Sequence, residues 1–145
     1  MVKLNIGCGP YKEPGYINID KNPVWKADLT SDVRDGLAYE DNSVDEIRAH
    51  HFIEHLDKDE IVSFLTECYT KLKPDGILDL LFPIGVTFEL DHKSFLKKES
   101  FDIFLRGAQD DYYFGPKIAF SLVKESRFSD ARCEMQRLVF KPRGK

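Results

Sequence analysis

The sequence predicts an α/β protein, one domain in which helices pack on a mainly parallel β-sheet. Three observations carry that expectation. Short apolar runs stop repeatedly at Gly, Asp or His. The clearest helix lies between two such runs and has start and stop signals of its own. The chain has 145 residues, enough for one buried core and short for two domains. Strands alternating with helices build parallel sheets with helical cover.

Taken in order, "KLNI" at 3–6 is a short apolar run that meets Gly7-Cys8-Gly9-Pro10, a strand entering a tight turn. "GYINID" at 15–20 gives a second strand, ending on Asp20, and "WKADL" at 25–29 a third. Residues 30–43 are rich in turn formers, and "SVDEIRAHH" at 43–51 is the fourth strand. Asp57 is a helix N-cap with Glu60 three residues on, and Ile61, Leu65, Cys68 and Leu72 come after it at helical spacing. "PDG" at 74–76 stops that helix, and "GILDLLFP" at 76–83 is the fifth, buried strand. Short helices are expected over 94–106 and another over "PKIAFSLVKES", 116–126. "ARCEM" at 131–135 and "LVFKP" at 138–142 are two closing strands.

Composition narrows the function classes. Hydrophobic residues make up 42% and charged residues 32%, which is ordinary for a globular domain. The net charge of -4 offers no basic excess to track phosphates, so there is no global case for nucleic acid. The basic tail over 141–145 is expected to be solvated. Cys8, Cys68 and Cys133 are odd in number and widely spaced, which suits a reducing compartment and excludes a fully intramolecular disulfide framework. No apolar run has membrane-spanning length, and "MVKLNIGCG" enters a strand at once without a signal peptide. The expected location is cytoplasmic.

Residues with chemistry fall at the strand ends, where open α/β sheets bind ligands. They are Gly7-Cys8-Gly9 after the first strand, Asp20 after the second, Asp28 and Leu29 after the third, and His50 and His51 after the fourth; Asp91 and His92 lie beyond the fifth. A glycine turn admits close approach of a ligand, and an acid ending the next strand can accept hydrogen bonds from ribose hydroxyls. Together they describe a nucleoside-containing cofactor. "GCG" lacks the third glycine of the dinucleotide fingerprint, and no room exists for a helix before the second strand. A nicotinamide cofactor, whose pyrophosphate wants a helix N-terminus, is therefore disfavoured. A cofactor with an amino-acid tail needs no such anion site.

One stretch competes with this reading. His51-Phe52-Ile53-Glu54-His55 spells H-x-x-E-H, a zinc metalloprotease pattern. That chemistry needs both histidines one turn apart on a helix, whereas this stretch precedes the helix beginning at Asp57. A strand-to-helix loop is expected instead, with Glu54 and His55 satisfying backbone groups, and no metal site is assigned.

The residues "LNIGCG … GYINID … ADLTSDVRDGLAYEDNSVDEIRAHHFIEHL" resemble the class I S-adenosylmethionine-dependent methyltransferases, and most of all a small, type 11-like branch with an abbreviated first loop. The likeness is nearly continuous over residues 3 to 56. "LKPDGILDLLFP", His92 and the segment from 106 to 135 extend it. The resemblance implies a Rossmann-like three-layer sandwich with a mainly parallel sheet, an abbreviated first helix and a short C-terminal part, all in a single domain over 1–145. It implies S-adenosyl-L-methionine as cofactor. Gly7, Cys8 and Gly9 would wrap its methionine part, Asp20 would hold the ribose, and Asp28 and Leu29 would contact adenine. His50 and His51 would face the methionine end and the acceptor, and His51 or His92 would take the departing proton.

Asn5 stands where larger relatives usually have an acid; other departures are Phe128 after Arg127 in place of Gly, and Gly115-Pro116-Lys117 in place of a His-Lys pair of the branch. Tyr112, Tyr113 and Phe114 are candidates for an acceptor wall. The resemblance leaves the acceptor unidentified, an oxygen or nitrogen of a small molecule, a saccharide or a macromolecule. The chain lacks the N/D-P-P-Y/F/W motif that would point to amino methylation of adenine or glutamine. A homodimer across an exposed strand edge is an open arrangement. Three alternatives remain: a cofactor-binding module without turnover, the zinc protease, and a nicotinamide oxidoreductase.

Overall fold

The computed structural model describes residues 1–85, 89–106, 118–129 and 131–145. The expected GPK segment and the Tyr112, Tyr113, Phe114 cluster lie outside the described residues. The first strands, β1 (Lys3–Ile6) and β2 (Ile17–Asp20), are parallel, with Leu4 opposite Ile17 and Ile6 opposite Ile19. The third, β3 (Leu29–Thr30), is shorter than expected. Asn22 caps a 3₁₀ turn over Pro23–Trp25, and proline at its start fixes φ for that turn rather than for a strand.

Strand β4 (Val44–His50) leads through a second 3₁₀ turn, Ile53–His55, into helix α1 (Lys58–Lys71). The expected start is observed: Glu60 N donates to Asp57 Oδ1 at 2.9 Å, and Asp57 N donates to Glu60 Oε1 at 3.0 Å. This reciprocal pair satisfies two amides that a helix leaves open. Strand β5 (Leu72–Pro83) begins directly at the helix end. Leu72 pairs with Val44, residues 73–76 bulge outward, and pairing resumes at Ile77 opposite Glu46. The expected stop signal at 74–76 is thus a bulge inside the strand's span.

A 3₁₀ turn over Lys98–Phe101 and helix α2 (Asp102–Arg106) come next. Beyond them the structure corrects the sequence reading. Residues 120–126, expected in a helix, instead open β6 (Phe120–Ser129). The two short closing strands are one, β7 (Glu134–Pro142). The seven strands lie in the order β3-β2-β1-β4-β5-β7-β6. Strand β7 runs antiparallel to both its neighbours, and every other pairing is parallel. The mixed α/β class and mainly parallel sheet agree with expectation.

Strand alternation gives the two sheet faces opposite character. Leu4, Ile47, Leu78 and Phe140 lie side by side across β1, β4, β5 and β7, and all belong to the core. Onto them pack Ile61, Phe64, Leu65 and Cys68 of α1, with Phe101 and Phe104 beyond. One step along the strands, Asn5, Arg48 and Asp79 neighbour one another on the reverse face.

The connection 7–16, which carries no helix, folds over part of that reverse face. Asn5 Nδ2 donates to Tyr11 O at 3.2 Å, and Glu13 N donates to Asn18 Oδ1 at 2.8 Å. Irregular backbone must find partners where it is buried, and an amide at position 5 supplies a donor that an ionised acid would lack. The C-terminal tail is not simply solvated: Lys145 Nζ donates to Leu72 O at 2.6 Å and to Thr70 O at 3.2 Å, capping the end of α1.

Candidate functional site

The carboxyl ends of β1 to β4 surround a cavity of about 490 Å³, large enough for a cofactor-sized molecule. Ile6 and Gly7 come from the first strand, Ile19 and Asp20 from the second, and Ser31, Asp32 and Val33 from just past the third. His51, Phe52 and His55 lie beyond the fourth strand, and Asp91 and Lys93 beyond the fifth.

Glycine is required at position 7. Its φ is +64°, and a Cβ there would meet Phe52 Cδ2 at 2.6 Å. The backbone therefore lies directly against the Phe52 ring, which in turn meets Phe64 edge-on at 5.2 Å. Asp20 ties the loop to the chain just past β2: Gly9 N donates to its Oδ2 at 2.9 Å, and Asn22 N donates to its Oδ1 at 2.9 Å. Each carboxylate oxygen keeps a further lone pair for a ligand hydroxyl.

His51 has φ +56°, a left-handed conformation that costs an ordinary side chain and gathers at functional sites. Its amide donates to Leu81 O at 2.8 Å, so the sheet holds the backbone while the exposed side chain stands on the cavity wall. The wall is charge-balanced. Asp20, Asp32 and Asp91 oppose Lys21, Arg34 and Lys93. Arg34 is engaged by Asp32, with Nη2 to Oδ2 at 2.6 Å, and by Glu60 at 3.2 Å. Such a wall offers no net positive charge to a pyrophosphate.

Of the residues singled out from sequence, Gly7, Asp20 and His51 line this cavity. Cys8 and Gly9 belong to the loop behind it. Cys8 N donates to Ile19 O at 3.1 Å, and burial, then Asp20, push its thiol up, which suits packing and not nucleophilic attack. Asp28, Leu29, His50 and His92 do not line it. Asp28 accepts from Asn18 N at 2.8 Å and Nδ2 at 3.0 Å, bonds that hold its carboxyl below the usual range. Leu29 is exposed on β3.

His50 lies on the reverse sheet face, with Nε2 at 3.1 Å from Asp79 Oδ1 but off the line of a hydrogen bond. Asp79 also takes two bonds from Arg137, at 3.0 and 2.7 Å. His92 stands beside the cavity, its ring edge-on to His55 at 4.8 Å.

Sequence reasoning missed Trp25, Asp32, Arg34 and Phe52 on the wall, which also holds Asp91, marked beyond the fifth strand, and His55, expected only to satisfy backbone groups. The signal for Asp32 was local. It caps the 3₁₀ turn Val33–Asp35 by accepting from Arg34 N, a capping pattern hidden in a stretch that reads as turns throughout. The H-x-x-E-H stretch is not an α-helix, since Ile53–His55 is a single 3₁₀ turn.

A family model described as a methyltransferase domain matches residues 12–80. No curated protein matches the chain in sequence. Among solved structures, an S-adenosylmethionine-dependent methyltransferase from Archaeoglobus fulgidus is 19% identical with a TM-score of 0.68, covering 96% of this chain and 85% of its own. A counterpart from Methanosarcina mazei is 16% identical with a TM-score of 0.66, covering 96% and 91%. The Burkholderia thailandensis 1,6-didemethyltoxoflavin-N1-methyltransferase, solved with bound 1,6-didemethyltoxoflavin and S-adenosylhomocysteine, is 16% identical with a TM-score of 0.70, covering 97% and 70%.

Proposed function

We propose that the chain is an S-adenosylmethionine-dependent methyltransferase that transfers a methyl group to an oxygen or nitrogen acceptor, a reading supported by the methyltransferase-domain model that matches residues 12–80 and by the fold shared with solved methyltransferases. The observation that carries this reading is the cavity itself. It lies at the strand ends, is balanced in charge, and is flanked by a backbone that only glycine can supply.

When bound, the cofactor supplies a methyl group already activated on a sulfonium sulfur. The chain's own work is binding, orientation and exclusion of water. Gly7 holds the amino-acid tail, backed by the loop through Gly9. Asp20 takes the ribose hydroxyls with the lone pairs left by Gly9 and Asn22. Trp25 and Phe52 offer aromatic faces for the base. His51, set on the wall by its left-handed backbone, takes the acceptor's proton as a neutral imidazole.

Calorimetric titration with S-adenosylhomocysteine, on wild type and Asp20→Ala, tests the reading. Loss of hydrogen bonds to a charged group should cost about 1.5–3 kcal/mol of binding. Folded wild type that fails to bind would end it.

A further inference from the structure

We propose that His55, Asp91 and His92 bind a divalent transition-metal cation beside the cofactor cavity, and that the ion takes an oxygen of the methyl acceptor; the second half rests on the methyl-transfer reading above. Each residue offers one ligand atom, and these atoms all lie within 4.8 Å of one another. Two imidazoles and a carboxylate suit Zn²⁺, Mn²⁺, Fe²⁺ or Co²⁺, whereas Mg²⁺ and Ca²⁺ prefer oxygen alone. Metal–ligand bonds of about 2.0–2.2 Å bring neighbouring donors to roughly 3–3.5 Å, so the widest pair must close by about 1.3–1.8 Å. Asp91, whose side chain is 72% exposed, has room to make that movement.

The chain holds these residues together by means unrelated to their own contacts. His55 ends the 3₁₀ turn, and the loop bearing Asp91 and His92 is clipped to it. The Glu54 carbonyl accepts from Lys93 N at 2.9 Å and Ser94 N at 3.0 Å, and the Ser94 hydroxyl donates to Leu56 O. Glu89 Oε2 lies 3.3 Å from His92 Nε2. A ring bound through Nδ1 would then have a carboxylate on its other nitrogen, the arrangement that orients metal-bound histidines.

A second observation points the same way. The Glu54 side chain, next to His55 in the chain, is buried at 1% exposure. Its Oε1 has no hydrogen-bond partner among the described residues. An unpartnered buried carboxylate oxygen is costly. A cation in the neighbouring cluster offsets that cost.

Three protein ligands leave positions open, and His55 and Asp91 are themselves part of the cavity wall. A metal-bound hydroxyl sheds its proton more readily. In the transfer the acceptor oxygen's lone pair forms the new C–O bond, and the electron pair of the breaking S–CH₃ bond stays on sulfur. The hydroxyl proton goes to His51 or to water.

The test needs no methyl acceptor. Chelator-treated protein is titrated with Co²⁺ while its visible absorption is recorded, and acetohydroxamate is then added as a two-oxygen probe. Saturation at one ion per chain is expected, at least tenfold weaker in Asp91→Asn and His92→Asn, with bands that shift on adding the probe. Asp91→Asn should melt like wild type because its side chain is exposed.

Absence of Co²⁺ bands, or equal binding by wild type and both variants, overturns the site. Bands indifferent to acetohydroxamate overturn the acceptor role. Titration of the same samples with S-adenosylhomocysteine separates the two readings. Binding of S-adenosylhomocysteine by protein that shows no Co²⁺ bands removes the metal alone, and the reverse pattern removes the methyl-transfer reading alone.

Discussion

Replacing His51 with glycine should make the protein more stable than replacing it with alanine, reversing the usual order of the two. At φ +56° a residue with a Cβ bears about 1–2 kcal/mol that glycine does not. Glycine in turn loses about 0.5–1 kcal/mol more conformational entropy on folding. The balance favours glycine by about 0.5–1 kcal/mol. Both variants lack the imidazole, so whatever the ring contacts cancels between them. For a domain of this length the difference amounts to about 1–4 °C in Tm, readable by calorimetry on matched samples. An alanine variant melting at or above the glycine variant would refute strain at this position. Both variants should also lose about a hundredfold or more in methyl transfer, as expected for a general base, while binding of S-adenosylhomocysteine stays near wild type. Retained activity would take the proton-accepting role from His51.

Gly7→Ala should weaken S-adenosylhomocysteine binding more than tenfold, because its Cβ would stand 2.6 Å from Phe52 Cδ2; wild-type affinity in a titration would show that the loop is not the cradle. The Asp79 carboxyl gives an acid dependence. Burial alone would raise it, but His50 and the paired Arg137 outweigh burial and hold it at about 2. A depressed folded value stabilises above the unfolded value of about 4 and loses that contribution as pH falls toward 2, a change on the order of 2–3 kcal/mol. Urea unfolding between pH 5 and 2 should show it, and Arg137→Gln should flatten the curve while lowering stability at neutral pH by about 3 kcal/mol. An unchanged acid slope in that variant would count against the pair.

What the sequence made legible was mostly local. The Asp57–Glu60 start of α1 is a four-residue pattern, and β4 and β5 are apolar runs that need no partner to be recognised. Gly7, Asp20 and His51 were accessible because each sits where a strand stops. Strand β6 reads as a helix because Lys124-Glu125-Ser126 is equally at home on one, and the decision is made by pairing with β7, which lies later in the chain. The turn opened by Pro23 takes Trp25 from the expected third strand, residues 26–28 are irregular, and pairing begins only at Leu29.

The site shows the same division. Asp28 has the position of a ligand-binding acid, yet Asn18 occupies it. Asp91 is joined to His55 only by the return of the chain after β5, and no spacing rule anticipates that.

The insertion of β7 between β5 and β6 bears on how the molecule is made. Strand β6 leaves the ribosome before the one strand it pairs with among those described. Until β7 emerges, the apolar run Leu78–Pro83 presents an unpaired edge, since among the described strands those residues bond on that side to Met135–Phe140. An unpaired apolar edge invites pairing with another chain, and closure across so much sequence is slow. Synthesis is therefore the vulnerable period of this fold: a nascent chain stalled before residue 134 would hold a nearly finished cofactor cavity beside an open, aggregation-prone margin.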